Sequence, residues 1–331
     1  MKVWITGIAG FLGSHLADTL VRGGYEVFGN DSLICGDVSN YDKFAMLDCC
    51  HQISMVTQLR QFAPDVLVHC AATAHEGFSS FSPSFITRNI YEASVATFSA
   101  AIAAGVKRIV FMSSMSRYGD NVPPFTEDMR PRPVDPYAVA KVAAEDTLRI
   151  LCETHGVAWS VLVPHNIIGP RQRYTDPYRN VASIMINRCL QGKGPVIYGD
   201  GMQTRCFSPI EDCLPSIVRA VNGEADGEVV NIGPDDYEIT ILDLAGRVSA
   251  LTGYDGPYEF FPDRPNEVKH AYCSSMKARK LLKYQQQNHL DNCLRDMVRH
   301  IQQHGIKPFD YRFPLEIIND RTPKTWLERK I

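Results

Sequence analysis

Three glycines in "ITGIAGFLGSHLADTL", Gly7, Gly10 and Gly13, follow a strand-like run and open an amphipathic helical pattern. Glycines at this spacing let a backbone turn tightly and approach a pyrophosphate, which then rests at the positive end of the helix. Phe11 and Leu12 lie inside the same turn. Asp31 ends the next strand-like run, 18 residues after Gly13. An acid there accepts hydrogen bonds from an adenosine ribose and repels a 2′-phosphate, and no arginine follows closely, so the turn is read for NAD rather than NADP. Tyr137 and Lys141, in "DPYAVAKVAAE", stand four apart on a second helical pattern and so share a face. Alone that spacing says nothing. Here it follows a dinucleotide fingerprint and a strand-like run ending in Ser113-Ser114. The stretch "MSSMSRYGD" places no carboxylate and no thiol beside Ser114, which leaves hydroxyl chemistry.

These residues need rigid elements to hold them. Strand-like runs at 2–6, 26–31, 65–70, 108–113 and 159–163, with a fainter one at 44–48 that Asp48 ends, alternate with helical patterns at 11–22, 53–62, 83–104 and 136–155. Short apolar strands separated by helices indicate an α/β fold, a Rossmann-type doubly wound parallel sheet covered on both faces. Beyond Pro164 the rhythm loosens into short elements rich in proline and glycine. The expected division is a dinucleotide-binding domain over 1–165. A smaller substrate-binding lobe, mainly 166–331, returns some segments to the first. The tail, "KPFDYRFPLEIINDRTPKTWLERKI", carries too many aromatic and aliphatic residues for disorder and is expected to pack on the body.

Composition narrows the partners. A formal charge of −3 supplies no basic footprint for nucleic acid and no polybasic tract for a membrane surface. Ten cysteines are scattered, several inside apolar runs, which reads as reduced buried thiols, and no pair has zinc-ligand spacing, so no metal site is expected. No apolar run reaches membrane-spanning length and the chain opens at once on a strand, so a soluble, cytoplasmic protein is expected.

Taken together, "VHCAA" (68–72), Asn89, "SSMSRYG", "PYAVAK", "PHNIIGP" (164–170), "IYGDGMQTRCF" (197–207) and "RPNE" (264–267) resemble the extended short-chain dehydrogenase/reductases. Within them the likeness is to NAD-dependent nucleotide-sugar epimerases and dehydratases, nearest the 4-epimerases of UDP-glucose and UDP-N-acetylglucosamine. The resemblance implies that Tyr137 is a base whose pKa falls beside Lys141 and a charged nicotinamide. It implies that Ser114 hydrogen-bonds the sugar oxygen, and that Lys141 also holds the nicotinamide ribose. It places Cys49, Ala71, Ala72, Ser113, Pro164 and His165 with the glycine turn, Asp31 and Asp48 around NAD. Asp48 is read equally as a strand-end acid, His165 as a second acid or base or as a loop-fixing residue, and Asn89 as a support or an ordinary surface residue.

The same resemblance assigns the residues after Ser114. The 4,6-dehydratases resemble one another in Thr-Asp-Glu at the Ser114, Met115 and Ser116 positions, the uronic acid decarboxylases carry Glu at the Ser116 position, and GDP-mannose 3,5-epimerases carry Cys there. Met115 and Ser116 supply none of these, which leaves hydride and hydroxyl-proton transfer, the needs of 4-epimerisation. Met115 is read as packing against cofactor or sugar, and Arg117 either as reaching a substrate phosphate or as a surface partner of Glu127 or Asp128. For a UDP-sugar substrate the resemblance implies Asn166, Arg205 and Arg264 on the diphosphate, Tyr198 on the base and Glu267 on its ribose. Ala271 stands at a small-residue gate that admits N-acetyl groups. Arg173, Tyr178, Arg179 and Asn180 are candidates for substrate or dimer contacts, with solvated loop as the default. A homodimer through 83–104 and 136–155 is expected. Competing readings are a GDP-sugar 3,5-epimerase, a 4-ketoreductase, and a non-catalytic NAD-sensing protein.

Overall fold

The computed structural model describes residues 1–264 and 268–331. Alternation builds its central sheet. In β1 (Lys2–Thr6) Val3 and Ile5 face one apolar layer with Leu16, Leu20 and Ile217, while Trp4 faces the other with Leu59, Phe98 and Leu148. Successive strand side chains point to opposite faces, so a strand covered on both sides is apolar throughout. The chain continues through α1 (Phe11–Arg22), β2 (Glu26–Asp31), β3 (Ala45–Met46), α2 (Gln52–Phe62), β4 (Val66–His69), α3 (Glu76–Ser79) and α4 (Pro83–Thr87). Then come α5 (Ala93–Ala103), β5 (Arg108–Met112), α6 (Pro136–His155) and β6 (Ala158–Pro164).

The sheet has seven strands, all parallel, in the order Glu228–Ile232, β6, β5, β4, β1, β2, β3. The strand Glu228–Ile232 comes from the second half of the chain and completes the sheet beside β6. The sequence runs at 2–6 and 26–31 and the helices at 11–22 and 136–155 coincide with observed elements. Two expectations need correction. The strand expected at 44–48 is only Ala45–Met46, so Asp48 lies beyond it. The helix expected over 83–104 is interrupted by a π-helical turn, Arg88–Glu92, between α4 and α5. Such turns widen a helix locally and displace the side chains they carry; Asn89 is one of them.

Strand order reverses direction between β1 and β4, and open α/β sheets bind ligands in the crevice at such a point. Close approach there needs glycine. Gly7 has a φ of +68°, and a Cβ on it would sit 2.8 Å from the backbone of Ala71, just past β4. A Cβ on Gly13 would sit 2.2 Å from the Gly7 carbonyl oxygen and 2.9 Å from Ile8 Cα. Both neighbours are backbone, so neither can move aside. The helix that carries Tyr137 and Lys141 is fixed more conventionally. Asp135 caps α6, accepting from Ala138 N at 2.8 Å, Pro136 opens it, and Gly156 in the left-handed region ends it.

The tail packs on the body, as its composition implied: Phe309, Tyr311, Phe313, Leu315, Trp326 and Ile331 join one apolar cluster with Phe78, Phe81 and Tyr137. All ten cysteines are free. Among the described residues no helix is long and apolar enough to cross a membrane.

The glycine turn yields a first prediction. Gly13→Ala forces α1 away from the turn, and the purified variant will retain NAD at least roughly tenfold less well with a Tm lower by at least about 2 °C. Cofactor content by absorbance after denaturation and a melting curve check it; wild-type retention would contradict it.

Candidate functional site

A cavity of about 390 Å³ opens along the C-terminal ends of β1, β2, β4 and β5. Gly7, Gly10, Phe11, Leu12 and Gly13 line one end of it, with Asp31, Asp48 and Cys49 beside them. Asp31 is buried at the end of β2; its carboxylate accepts from Ala9 N at 3.0 Å and Leu33 N at 2.7 Å. Burial raises its pKa, and those backbone donors oppose the rise. Asp48 accepts from Cys50 N at 2.9 Å and pairs with Arg88 at 3.3 Å, so it serves as a turn acid while still facing the cavity. The Cys49 thiol accepts from Asn30 Nδ2, and burial pushes it up to about 11. Ala71 and Ala72 form the floor past β4.

The middle of the cavity carries Ser113, Ser114, Tyr137, Lys141 and Pro164. Lys141 is almost fully buried and its ammonium donates to the Met112 carbonyl at 2.7 Å, the last residue of β5. It also lies 4.8 Å from the Phe111 ring centre and 5.9 Å from that of Tyr137. Burial lowers it to about 8, against the opposing influence of Cys70 and Glu145. The Tyr137 phenol is pushed up, chiefly by burial and then by the Glu76 carboxylate, while its hydrogen bond with Ser114 acts the other way. Ser114 Oγ accepts from Ser116 Oγ at 2.9 Å and Ser116 N at 3.3 Å.

Behind this wall lies a feature the sequence placed elsewhere. Arg117 is buried, not at the surface, and pairs with Glu145 at 3.1 Å rather than with Glu127 or Asp128. The other oxygen of Glu145 accepts a short hydrogen bond from Ser113 Oγ. Glu127 instead accepts from Asn231 N at 2.9 Å. His165 also departs from expectation: it does not line the cavity. Its ring is fully buried against Gly233, with Nε2 at 2.7 Å from the Pro234 carbonyl, and burial lowers its pKa to about 4. It fixes a loop, the second of the two roles its sequence context allowed.

The far end holds Tyr198, Arg205, Arg264 and Asn166. Arg264 lies over the Tyr198 ring at 4.7 Å, and Arg205 donates to the Thr204 carbonyl at 2.8 Å. Asn166 Nδ2 donates to the Cys206 carbonyl at 3.1 Å and reaches the Met115 sulfur at 3.7 Å. A second cavity of about 110 Å³ adjoins through Glu76, Gly77, Asn166, Arg205 and Arg264, and Met115, Ser116 and Ala271 line it. Glu267 lies outside the described residues. Tyr178, Arg179 and Asn180 line the main cavity and are no solvated loop; Arg173 instead donates to the Ile34 carbonyl at 3.0 Å. Asn89 faces the cavity from the π turn, its amide donating to Phe85 O at 2.8 Å.

Sequence reasoning missed Glu76, which faces both cavities from the start of α3, and Trp326 and Ile331 from the tail. An acid seven residues past β4, in the loop after "VHCAA", was the available signal for Glu76.

The model of the NAD dependent epimerase/dehydratase family matches residues 3–233. A UDP-glucose 4-epimerase of Mycolicibacterium smegmatis is 31% identical over 87% of this chain and 94% of its own. A UDP-N-acetyl-alpha-D-glucosaminuronate decarboxylase of Bacillus cytotoxicus is 32% identical over 75% of this chain and 79% of its own. The crystal structure of UDP-glucose 4-epimerase with UDP-glucose from Thermotoga maritima superposes with a TM-score of 0.86 at 29% identity, covering 92% of this chain and 99% of that one. The chain belongs to the NAD-dependent epimerase/dehydratase family, a family of nucleotide-sugar enzymes, and its cofactor is NAD. The glycine turn without room for a Cβ and the buried Asp31 fit that cofactor's pyrophosphate and ribose.

The Arg117–Glu145 pair supplies the second prediction. Arg117→Leu leaves a buried carboxylate without its counter-charge, which costs about 3–5 kcal/mol of stability. Glu145 already titrates above the ordinary 4.5 because burial outweighs Arg117, and losing Arg117 raises it further. A raised acid penalises the fold only where it must ionise, so the deficit is smallest at acid pH and grows as pH rises past 4.5. Denaturant unfolding across pH measures it, and adding Glu145→Gln to Arg117→Leu will recover most of the loss. A pH-independent deficit would contradict the pairing.

Proposed function

We propose that the protein interconverts the C4 epimers of a UDP-hexose or UDP-N-acetylhexosamine through a transient 4-ketosugar. The observation that carries the reading is the wall beside Tyr137: Ser114 is followed by Met115 and Ser116, so these two positions supply no acid or base to expel a water or a carboxylate group. In this reading Tyr137 takes the proton from the sugar O4, and Ser114, hydrogen-bonded to the phenol, holds that oxygen and relays the proton. Lys141 and the cofactor's charge must together offset the burial that raises the phenol. NAD, when bound, accepts the C4 hydrogen and returns it. Arg205 and Arg264 carry complementary charge for a diphosphate, and Asn166 joins them. Tyr198 offers its ring to the base, and Ala271 leaves room for a C2 substituent. Residues 1–165 then hold mainly the cofactor and 166–331 mainly the nucleotide sugar. A homodimer through α5 and α6 belongs to the same reading.

Glu76 favours a second reading. It is a carboxylate beside Tyr137, so it offers a base for a carbon-bound proton, as a 3,5-epimerase requires. The first reading assigns it a sugar hydroxyl instead.

The test is incubation of the purified protein with UDP-glucose and UDP-N-acetylglucosamine, with no added reductant. Formation of the galacto epimers with no net NADH absorbance is expected. Stoichiometric consumption of NADH on a ketosugar, or no turnover of either substrate, would overturn the proposal. Tyr137→Phe will lower kcat by roughly 10²–10⁴ while leaving UDP binding intact; retained turnover would remove Tyr137 from the mechanism.

A further inference from the structure

Two serines stand at the join between the cavities: Ser114 lines the main one and Ser116 the smaller one. A hydrogen bond runs between them, with Ser116 Oγ donating to Ser114 Oγ at 2.9 Å. The Ser116 amide donates to the same oxygen at 3.3 Å, so Ser114 caps the single helical turn Met115–Tyr118. That turn is held along its length. Arg117 N donates to the Ser114 carbonyl at 3.2 Å, and Gly119 N to the Ser116 carbonyl at 3.1 Å. The buried Arg117 side chain pairs with Glu145, which also accepts from Ser113. Ser116 is thus brought to Ser114 by fixed backbone.

A hydroxyl has one hydrogen and two lone pairs. On Ser114 the lone pairs receive Ser116 Oγ and Ser116 N, which leaves the hydrogen for Tyr137. The interaction of Ser114 with the phenol favours its ionised form, as a donor to a phenolate does. The three oxygens then form one chain of a single sense, from Ser116 to Ser114 to Tyr137. Donors in series polarise and strengthen one another.

We infer that Ser116 is a positioning residue for the C4 chemistry: its hydroxyl holds the Ser114 proton toward the Tyr137 oxygen and so sets the direction in which the relay runs. The inference rests on the epimerase reading above and gives a task to a side chain which that reading defines only by what it lacks. The amide contact on Ser114 is the longer of the two, so a sugar hydroxyl displaces it and the Ser116 hydroxyl keeps its place. The proton leaving O4 passes to Ser114 Oγ as the proton of Ser114 passes to the Tyr137 oxygen. Ser116 neither gains nor loses one.

The test is the pH dependence of kcat/KM for the NAD-containing enzyme with UDP-glucose and UDP-N-acetylglucosamine. Tyr137 must be ionised to act as a base, so activity falls as pH drops through its pKa, and loss of a donor moves that limb to higher pH. The other groups that face the phenol are Lys141 from α6, Asp135 at its cap, Glu76 from α3 and Arg179 from the second half of the chain. All four are the same in every variant. Ser116→Ala will move the acid limb up by roughly 0.5–1 unit, which lowers kcat/KM on that limb roughly three- to tenfold. Its UDP binding by calorimetry will stay within about twofold of wild type. Ser116→Thr, which keeps the hydroxyl, will keep the wild-type limb. An unmoved limb in Ser116→Ala, or an equal shift in Ser116→Thr, overturns this inference alone. UDP binding lost in Ser116→Ala marks a merely structural role and overturns it too. A wild-type enzyme that turns over neither nucleotide sugar overturns the functional reading and this inference with it.

Discussion

The buried ammonium of Lys141 constrains everything around it. A lysine cannot stay charged inside an apolar core without partners, and burial brings this one down to about 8 even against the opposing influence of Cys70 and Glu145. Its solution is the Met112 carbonyl at 2.7 Å, the terminal acceptor of β5. That contact ties α6 to the end of a central strand. Because side chains four apart on a helix share a face, it also sets where Tyr137 stands. Ser114, two residues past Met112, then falls beside the phenol. Ser114, Tyr137 and Lys141 are thus brought together by one hydrogen bond across the edge of a sheet, with rigid elements on both sides.

One turn further along α6 the same solution recurs in opposite charge. Glu145 is buried, faces Lys141 electrostatically, pairs with Arg117 and accepts from Ser113. Lys141, Glu145 and Arg117 form an alternating row behind the site. Buried ion pairs contribute little net stability over apolar packing, but breaking one is costly, so such a row holds geometry more than it stabilises the fold. What it holds is the Ser113-Ser114 segment. Nε and Nη1 of Arg117 are buried with no hydrogen-bond acceptor among the described residues, and the guanidinium also lies 5.2 Å from the Tyr118 ring centre.

Much of this was legible in the residues because it depends on local spacing. The glycine turn, Asp31, and α6 with its Asp-Pro start follow from neighbours in sequence, and the structure draws the same boundaries. The misreadings have a different origin. Nothing near Arg117 in sequence reveals a partner 28 residues on, so an arginine was assigned to the surface by default. His165 turns its back on the cavity because Gly233, carried by the loop after the seventh strand, leaves space there for its ring. The strand Glu228–Ile232 was unreadable for the same reason, since only β6 makes it a member of the sheet. Trp326 and Ile331 reach the cavity through packing of the tail that no periodicity encodes.

In the proposed reaction the site moves one hydrogen at C4 and one hydroxyl proton, and nothing else. Glu76 is the group that could break that limit, because it is a carboxylate near the phenol and within reach of the sugar cavity. The most direct test is to run the reaction to equilibrium in deuterium oxide and analyse the recovered nucleotide sugars by mass spectrometry and proton NMR. The account predicts epimers of unchanged mass with the C4 hydrogen retained and no deuterium at any carbon. Deuterium at C3 or C5, or a product lighter by water or carbon dioxide, would contradict it.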